Sequence, residues 1–453
     1  MRSINPATGS VIREYTDHSG AEVEKIILNV HSAWEGWRET SFETRSELMK
    51  KAAEILRSNK ERYATTMTME MGKLFRESLA EIEKCALVCD YYAVNAAKML
   101  ADEVIASDAS RSFVAFQPIG VILAVMPWNF PFWQVIRFAA PALMAGNAAV
   151  LKHASNVPGC ALAIEEIFRE AGFPADLFRT LLIPSSAVEP VITDPLIAAV
   201  TLTGSELAGS EVASLAGRNL KKTVLELGGS DPFIVLEDAD LDAAVKTAVT
   251  ARMINQGQSC IAAKRFIVLE AVIQQFETGL KSAFEALHMG DPMDISTQVG
   301  PMARPDLVSE IESQVNRSVA AGARLVCGGH RPDRTGCYFE PTILADVCKG
   351  MPVYSEETFG PVVSLISARD EDDAIRIAND SSFGLGGCVW TRDLVRGEKV
   401  ARKVETGAMF VNGMTKSDPR LPFGGIRKSG YGRELSAYGI REFVNIKTIW
   451  IGR

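Results

Sequence analysis

Eight cysteines occur in the chain, and one sits in a setting unlike that of a packing thiol. Cys260 closes NQGQSC (255–260), beside Gly257 and small polar residues, between a helical stretch and the strand-like KRFIVLE. A thiol placed there can be accessible and can act as a thiolate nucleophile. The alternative is a packed thiol, since free cysteine is often buried. Glu226 interrupts the strand-like TVLELGG between Leu225 and Leu227. Burial raises a carboxyl pKa toward the range useful to a general base near neutral pH. It can equally be an end-of-strand residue that reaches solvent. Asn129 lies in PWNFP (127–131), after a strand and before a helix. Ligands collect at that edge of a parallel sheet. Its amide can donate to a developing oxyanion or merely cap the next helix. Gly204, Ser205 and Gly209 occur in TGSELAG after an apolar strand. Ser205 can open a helix whose N-terminus faces a phosphate, although Gly-x-x-x-x-Gly is not the common dinucleotide fingerprint. Lys152 ends AAVLKHA, where it can donate to a ribose or phosphate or simply be solvated.

These residues need elements to position them. From about 20 to 101 the pattern predicts amphipathic helices, with apolar residues three and four apart. The segment 102–117 reads as short strands. From 119 onward, apolar runs such as IGVILAVMP, AAVLKHA and LIAAVTLTG alternate with helical stretches such as FWQVIRFAAPALMAG. Continuous apolar strands between helices predict a parallel sheet covered on both faces, the doubly wound α/β architecture. A second α/β region starts near 228, at the turn-forming GGSDP, and contains DPFIVLE, KRFIVLE, PVVSLISA and GGCVWTR. The tail VNIKTIWIG alternates in polarity and reads as a strand.

Composition narrows the partners. The 453 residues carry 48 Lys and Arg against 56 Asp and Glu, a formal charge of −8, with no basic stripe. That balance disfavours nucleic acid. No cysteine pair has CxxC spacing and only five histidines are present, so neither a disulfide framework nor a bound metal is expected. The N-terminal MRSINPATGS lacks the apolar core of a signal peptide. The longest uncharged stretch, Ser112 to Ile136, contains three prolines, which a membrane-spanning helix tolerates poorly. A soluble cytoplasmic protein is expected.

The order PWNFP, Lys152 strand end, TGS, LELGG, GQSC, EETFGPV (356–362) and PFGG (422–425) resembles the aldehyde dehydrogenase superfamily over nearly the whole chain, and most of all its succinate semialdehyde dehydrogenases. The resemblance implies two doubly wound Rossmann-like α/β domains plus a small β oligomerisation domain. Their expected bounds are 1–101 with 119–227 for the cofactor domain and 228–430 for the catalytic domain. Residues 102–118 and 431–453 are expected to serve oligomerisation. By the same likeness Cys260 is the nucleophile, Asn129 an oxyanion donor and Glu226 the base that hydrolyses a thioester. Trp128, Lys152, Ser155, Gly204, Ser205, Gly209, Leu227, Glu357 and Phe359 would then form the cofactor site.

Two positions speak to specificity. NAD-preferring relatives usually carry Glu three residues after the strand-end Lys; here Ser155 stands there. A Glu would repel a 2′-phosphate, whereas Ser155 can donate to it and Lys152 can pair with it. NADP preference is expected, with NAD possible. Arg137, six residues past PWNFP, and Ser417, five before Pro422, resemble the residues that grip the distal carboxylate of succinate semialdehyde. Arg137 can alternatively be a structural residue paired elsewhere. A second arginine of some members is Ile254 here, and a second cysteine of others is Ala262. Alternative functions are a broad-specificity enzyme for another small aldehyde, a coenzyme A-acylating enzyme, or a non-catalytic relative. A homodimer or homotetramer is expected from the exposed C-terminal strand.

Overall fold

The computed structural model describes residues 1–452. Two large sheets, a three-stranded sheet and a two-stranded pairing of Arg2–Ile4 with Val11–Glu14 make up the strands. The first comprises, in spatial order, Gly430–Tyr431, Lys222–Glu226, Ile197–Thr203, Val121–Met126, Ala148–His153 and Phe178–Thr180. All its pairings are parallel except that of Gly430–Tyr431. Its central strands are almost wholly buried because helices cover both faces: every residue of Ala148–His153 is buried, and so is every residue of the helix Trp133–Met144.

Chain order and spatial order together locate the ligand edge. From Val121–Met126 the chain winds outward through Ala148–His153 and Phe178–Thr180. It then returns to the other side of Val121–Met126 to lay down Ile197–Thr203 and Lys222–Glu226. This reversal leaves a crevice beyond the carboxyl ends of Val121–Met126 and Ile197–Thr203, as doubly wound sheets do at a switch point.

The second sheet has the order Arg324–Cys327, Thr342–Ala345, Val362–Ala368, Ala263–Leu269, Asp231–Val235, Cys388–Trp390 and Phe410–Val411. Only the pairing of its first two strands is antiparallel. Two apolar clusters flank it, one containing Ile234, Ile267 and Ile366 and the other Phe233, Phe266 and Trp390. Residues 227–230 lead straight from the carboxyl end of Lys222–Glu226 to the amino end of Asp231–Val235. The cleft therefore lies between the two sheets.

In the small sheet, Val444–Ile451 pairs antiparallel with Arg111–Pro118 over eight residues, and Glu103–Val104 pairs on the opposite side. The expected alternation of VNIKTIWIG does not become a buried face: only Val444 is buried, while Ile446, Trp450 and Ile451 are exposed. The far half of this strand has no core on either face, whereas Val444 at its start and Phe116 of the neighbouring strand pack on the core of the first sheet. Residues preceding this strand behave differently, since Leu435, Ile440 and Phe443 join the core of the first sheet. Among the described residues no helix is long and apolar enough to cross a membrane, and no group of three or more potential metal ligands gathers.

Candidate active site

Cys260 lies half-buried in a cleft of about 680 Å³, lined also by Trp128, Asn129, Gln134, Gly204, Ser205, Leu227, Glu357 and Phe359. The backbone that delivers it is unusual. Asn255, Gln256 and Gly257 are consecutive left-handed residues, with φ of 50°, 54° and 76°. At Gly257 a Cβ would sit 2.1 Å from the carbonyl oxygen of Gly360, so only glycine fits.

Two buried cations hold this loop. The Arg252 guanidinium donates to the carbonyls of Gly257 (2.7 Å), Gly360 (2.7 Å), Ala263 (3.0 Å) and Thr358 (3.2 Å). The Lys264 ammonium donates to the carbonyls of Cys260 (2.8 Å), Ser259 (2.9 Å) and Ala262 (3.4 Å). It also lies 3.4 Å from Glu357, which accepts the N–H of Gly229 at 2.9 Å. The nucleophile loop and the EETFGPV loop are thus fastened to each other. Neither Arg252 nor Lys264 was legible as a site residue, because each stands in a stretch that reads as ordinary helix or strand.

Burial pushes the Cys260 thiol up to about 12, against the opposing pull of Lys264 and Arg137. The nearby positive charges are therefore what favour the thiolate. Asn129 is held at both ends of its amide. Its Nδ2 donates to the Gln258 carbonyl (3.1 Å), and its Oδ1 accepts from Gln134 (3.1 Å). That fixes the amide orientation and leaves one N–H free for the cleft. Trp128 and Phe359 meet edge to face, with ring centroids 5.8 Å apart, the arrangement aromatic quadrupoles favour.

Glu226 does not line the cleft. Its carboxyl is fully buried with neither oxygen hydrogen-bonded. It points at the PFGG turn, where a Cβ on Gly424 would lie 2.7 Å from Oε1. Burial first, and then the Glu434 carboxylate, hold its pKa well above the ordinary range. Gly209 also lies outside the cleft. It packs on Leu227, whose Cδ2 would be 2.5 Å from an added Cβ, so its lack of a side chain lets the cleft-lining Leu227 sit where it does. Ser205 caps the helix Glu206–Arg218, accepting the N–H of Ala208 at 3.3 Å.

Lys152 and Ser155 stand at and just beyond the end of Ala148–His153. Ser155 is exposed, and Lys152 Nζ reaches only the Ser185 hydroxyl, at 3.5 Å. No carboxylate pairs with Lys152 among the described residues, and burial lowers its pKa. The next residue, His153, braces PWNFP through a 2.9 Å contact between Nε2 and the Pro131 carbonyl.

The expected carboxylate grip of Arg137 and Ser417 is not assembled. Arg137 is buried in an ion pair with Glu434 and lies over the Phe423 ring, 4.8 Å from its centroid. Its charge is already met, which is the structural alternative for this residue. Ser417 instead receives a 2.6 Å hydrogen bond from Lys84. Arg420 is exposed and paired with Asp418.

The aldehyde dehydrogenase family model matches residues 1–449. The chain belongs to this family. The family expectation drawn from the motifs is met, and so is the expected fold. The chain is 55% identical over 451 residues to the probable succinate-semialdehyde dehydrogenase, NADP(+), of Synechocystis sp., covering 100% of the chain and 99% of that relative. It is 51% identical over 454 residues to succinate-semialdehyde dehydrogenase, NADP(+), 1 of Mycobacterium tuberculosis, with the same coverage. Among solved structures, the succinic semialdehyde dehydrogenase of Streptococcus pyogenes in complex with NADP+ superposes with a TM-score of 0.98 at 40% identity, each chain fully covered. Betaine aldehyde dehydrogenase of Staphylococcus aureus in complex with NAD+ gives 0.97 at 31% identity, covering 100% of this chain and 92% of that one.

Proposed function

We propose that this protein oxidises succinate semialdehyde to succinate with NADP as hydride acceptor, and accepts NAD less well. The observation that carries the reading is the 50–55% identity, over the full length, to relatives named for that activity. The cleft supports it at the nucleophile and the oxyanion donor, Cys260 and Asn129. The Cys260 thiolate adds to the aldehyde carbonyl. The free N–H of Asn129 and the backbone N–H of Cys260 meet the oxyanion that forms. Removing one such donor typically slows a reaction roughly 100- to 1,000-fold. Collapse of the oxyanion expels hydride and leaves a thioester on Cys260; the chemistry a bound nicotinamide supplies is acceptance of that hydride. Glu226, buried beside the cleft at the PFGG turn, has to turn its carboxylate toward Cys260 for the next step, in which it takes a proton from water as the water attacks the thioester, releasing succinate and restoring the thiolate. This hydrolytic route favours water over coenzyme A as acyl acceptor.

The residues present fit such a cofactor. Trp128, Leu227, Glu357 and Phe359 surround the Cys260 end of the cleft, and Gly204 and Ser205 open a helix N-terminus suited to phosphate. Lys152, a cation lacking a carboxylate partner, and the Ser155 hydroxyl would hold a 2′-phosphate. The two large sheets and the three-stranded sheet support a division into cofactor, catalytic and oligomerisation units. The unpaired outer edge of Val444–Ile451 supports a homodimer or homotetramer, which light scattering at micromolar concentration checks. All eight cysteines are free thiols, which suits the reducing cytoplasm. The deciding assay compares kcat/KM for succinate, glutarate and uncharged semialdehyde analogues with NADP and NAD. Succinate semialdehyde with NADP should lead; equal or better efficiency with NAD, or with an uncharged aldehyde, would overturn the reading.

A further inference from the structure

Three charged residues at the start of the helix Phe75–Met99 grip both loops that carry reacting groups. Glu77 and Glu81 stand four apart, hence on one face of the helix, and Lys73 just precedes its first turn. Glu77 Oε2 accepts the backbone N–H of Asn255 at 3.0 Å. Glu81 Oε1 accepts those of Phe132 (3.0 Å) and Trp133 (2.9 Å). These open the helix Trp133–Met144, whose own N-cap residue supplies no side-chain cap. The other Glu81 oxygen pairs with the buried Lys73 ammonium, which also lies 3.7 Å from the centre of the Phe130 ring. None of these three side chains lines the cleft.

Both grips lead to the oxyanion donors. Asn255 opens the left-handed stretch 255–257 that leads to Cys260, and its Nδ2 donates to the carbonyls of Asn129 (2.7 Å) and Gln258 (3.2 Å). The Gln258 carbonyl also accepts from Asn129 Nδ2. On the other side, Gln134, in the turn that Glu81 caps, holds Asn129 Oδ1, and Phe130, on which Lys73 rests, directly follows Asn129. The Asn129 amide and the Cys260 N–H therefore sit on two loops anchored to one helix. Hydrogen bonds to an ionised acceptor are shorter and stronger than neutral ones, and a misplacement of about 1 Å at a reacting centre can cost roughly 100-fold in rate.

We propose that Glu77 and Glu81, together with Lys73, are positioning residues that fix the separation of the two oxyanion donors, Asn129 Nδ2 and the Cys260 N–H. The inference rests on the reading that these two groups meet the oxyanion. It assigns to the helix Phe75–Met99 a part in the formation and collapse of the tetrahedral adduct and none in holding the cofactor.

The test is the first-turnover rate of NADPH formation from succinate semialdehyde, measured in a double-mutant cycle with Asn129. Asn129→Ala should slow it roughly 100- to 1,000-fold. Glu77→Leu should slow it about 10- to 100-fold, while the Kd for NADP, read by protein fluorescence, stays near the parent's. Glu77→Gln, whose amide oxygen still accepts from Asn255, should recover most of the loss. In the Asn129→Ala background Glu77→Leu should cost less than about threefold further, because the donor it places is gone. Should Glu77→Leu fold poorly by circular dichroism, the paired change Lys73→Met with Glu81→Leu, which strands no charge, goes through the same cycle with the same expectation. A folded variant that slows the first turnover less than about threefold, or that costs its full factor again without the Asn129 amide, overturns the inference while the oxyanion reading stands. A loss of NADP affinity as large as the loss of rate marks a general loosening of the cleft and overturns it too. A loss of less than about threefold in Asn129→Ala removes both.

Discussion

Lys264 offers the sharpest test of how the nucleophile is prepared. Its buried ammonium donates to three carbonyls of the loop 259–262 and is a principal source of positive charge favouring the Cys260 thiolate. Lys264→Met removes both contributions, and Lys264→Gln removes the charge while keeping hydrogen-bond donors. An adjacent opposite charge is worth about 1–3 pKa units. A positive neighbour stabilises the thiolate, so its loss raises the thiol pKa and lowers the thiolate fraction roughly 10- to 1,000-fold at a fixed pH below it. The assay is the pH dependence of Cys260 alkylation by iodoacetamide, with the labelled peptide identified by mass. Both variants should need a higher pH to reach the parent rate. Lys264→Met should in addition lose stability, since each buried carbonyl deprived of its donor costs about 1–3 kcal/mol. If Lys264→Gln is folded and is alkylated with the parent's pH profile, the charge has no role and the loop is only scaffolded.

Two further expectations follow from the same geometry. Glu226→Gln should slow turnover about 100- to 10,000-fold, as loss of a general base does, and mass spectrometry should find acyl-enzyme accumulating on Cys260. Because the folded-state pKa of Glu226 is raised, the base is neutral at low pH and the hydrolytic step should quicken as pH rises through that pKa; a flat profile would argue against this role. Ser155→Glu should cut kcat/KM for NADP by roughly 100-fold, the scale of a like-charge contact worth several kcal/mol, with little loss for NAD in steady-state kinetics.

Much of this was legible in the residues. Runs such as VILAVM and AAVLKH identify parallel strands because such strands are covered on both faces. Cys260, Asn129, Trp128, Leu227, Glu357 and Phe359 do converge on one cleft. What escaped notice depends on long-range pairing. Arg137 reads either as a carboxylate grip or as a residue paired elsewhere, and only Glu434, nearly 300 residues later, decides for the pair. The short hairpin of Arg2–Ile4 with Val11–Glu14 is mostly exposed and gives no clear periodicity. The edge pair Arg324–Cys327 and Thr342–Ala345 consists of four-residue strands, too brief for pattern to announce.

Arg252 bridges the carbonyls of Gly257 on one rim and of Thr358 and Gly360 on the other. A single side chain thus works as a hinge pin common to the sulfur and to the segment holding Glu357 and Phe359. Neither rim can loosen alone without stranding a buried charge. Heat that melts this corner should therefore abolish dinucleotide affinity and thiol reactivity at the same temperature, even while the distant small sheet keeps its strands.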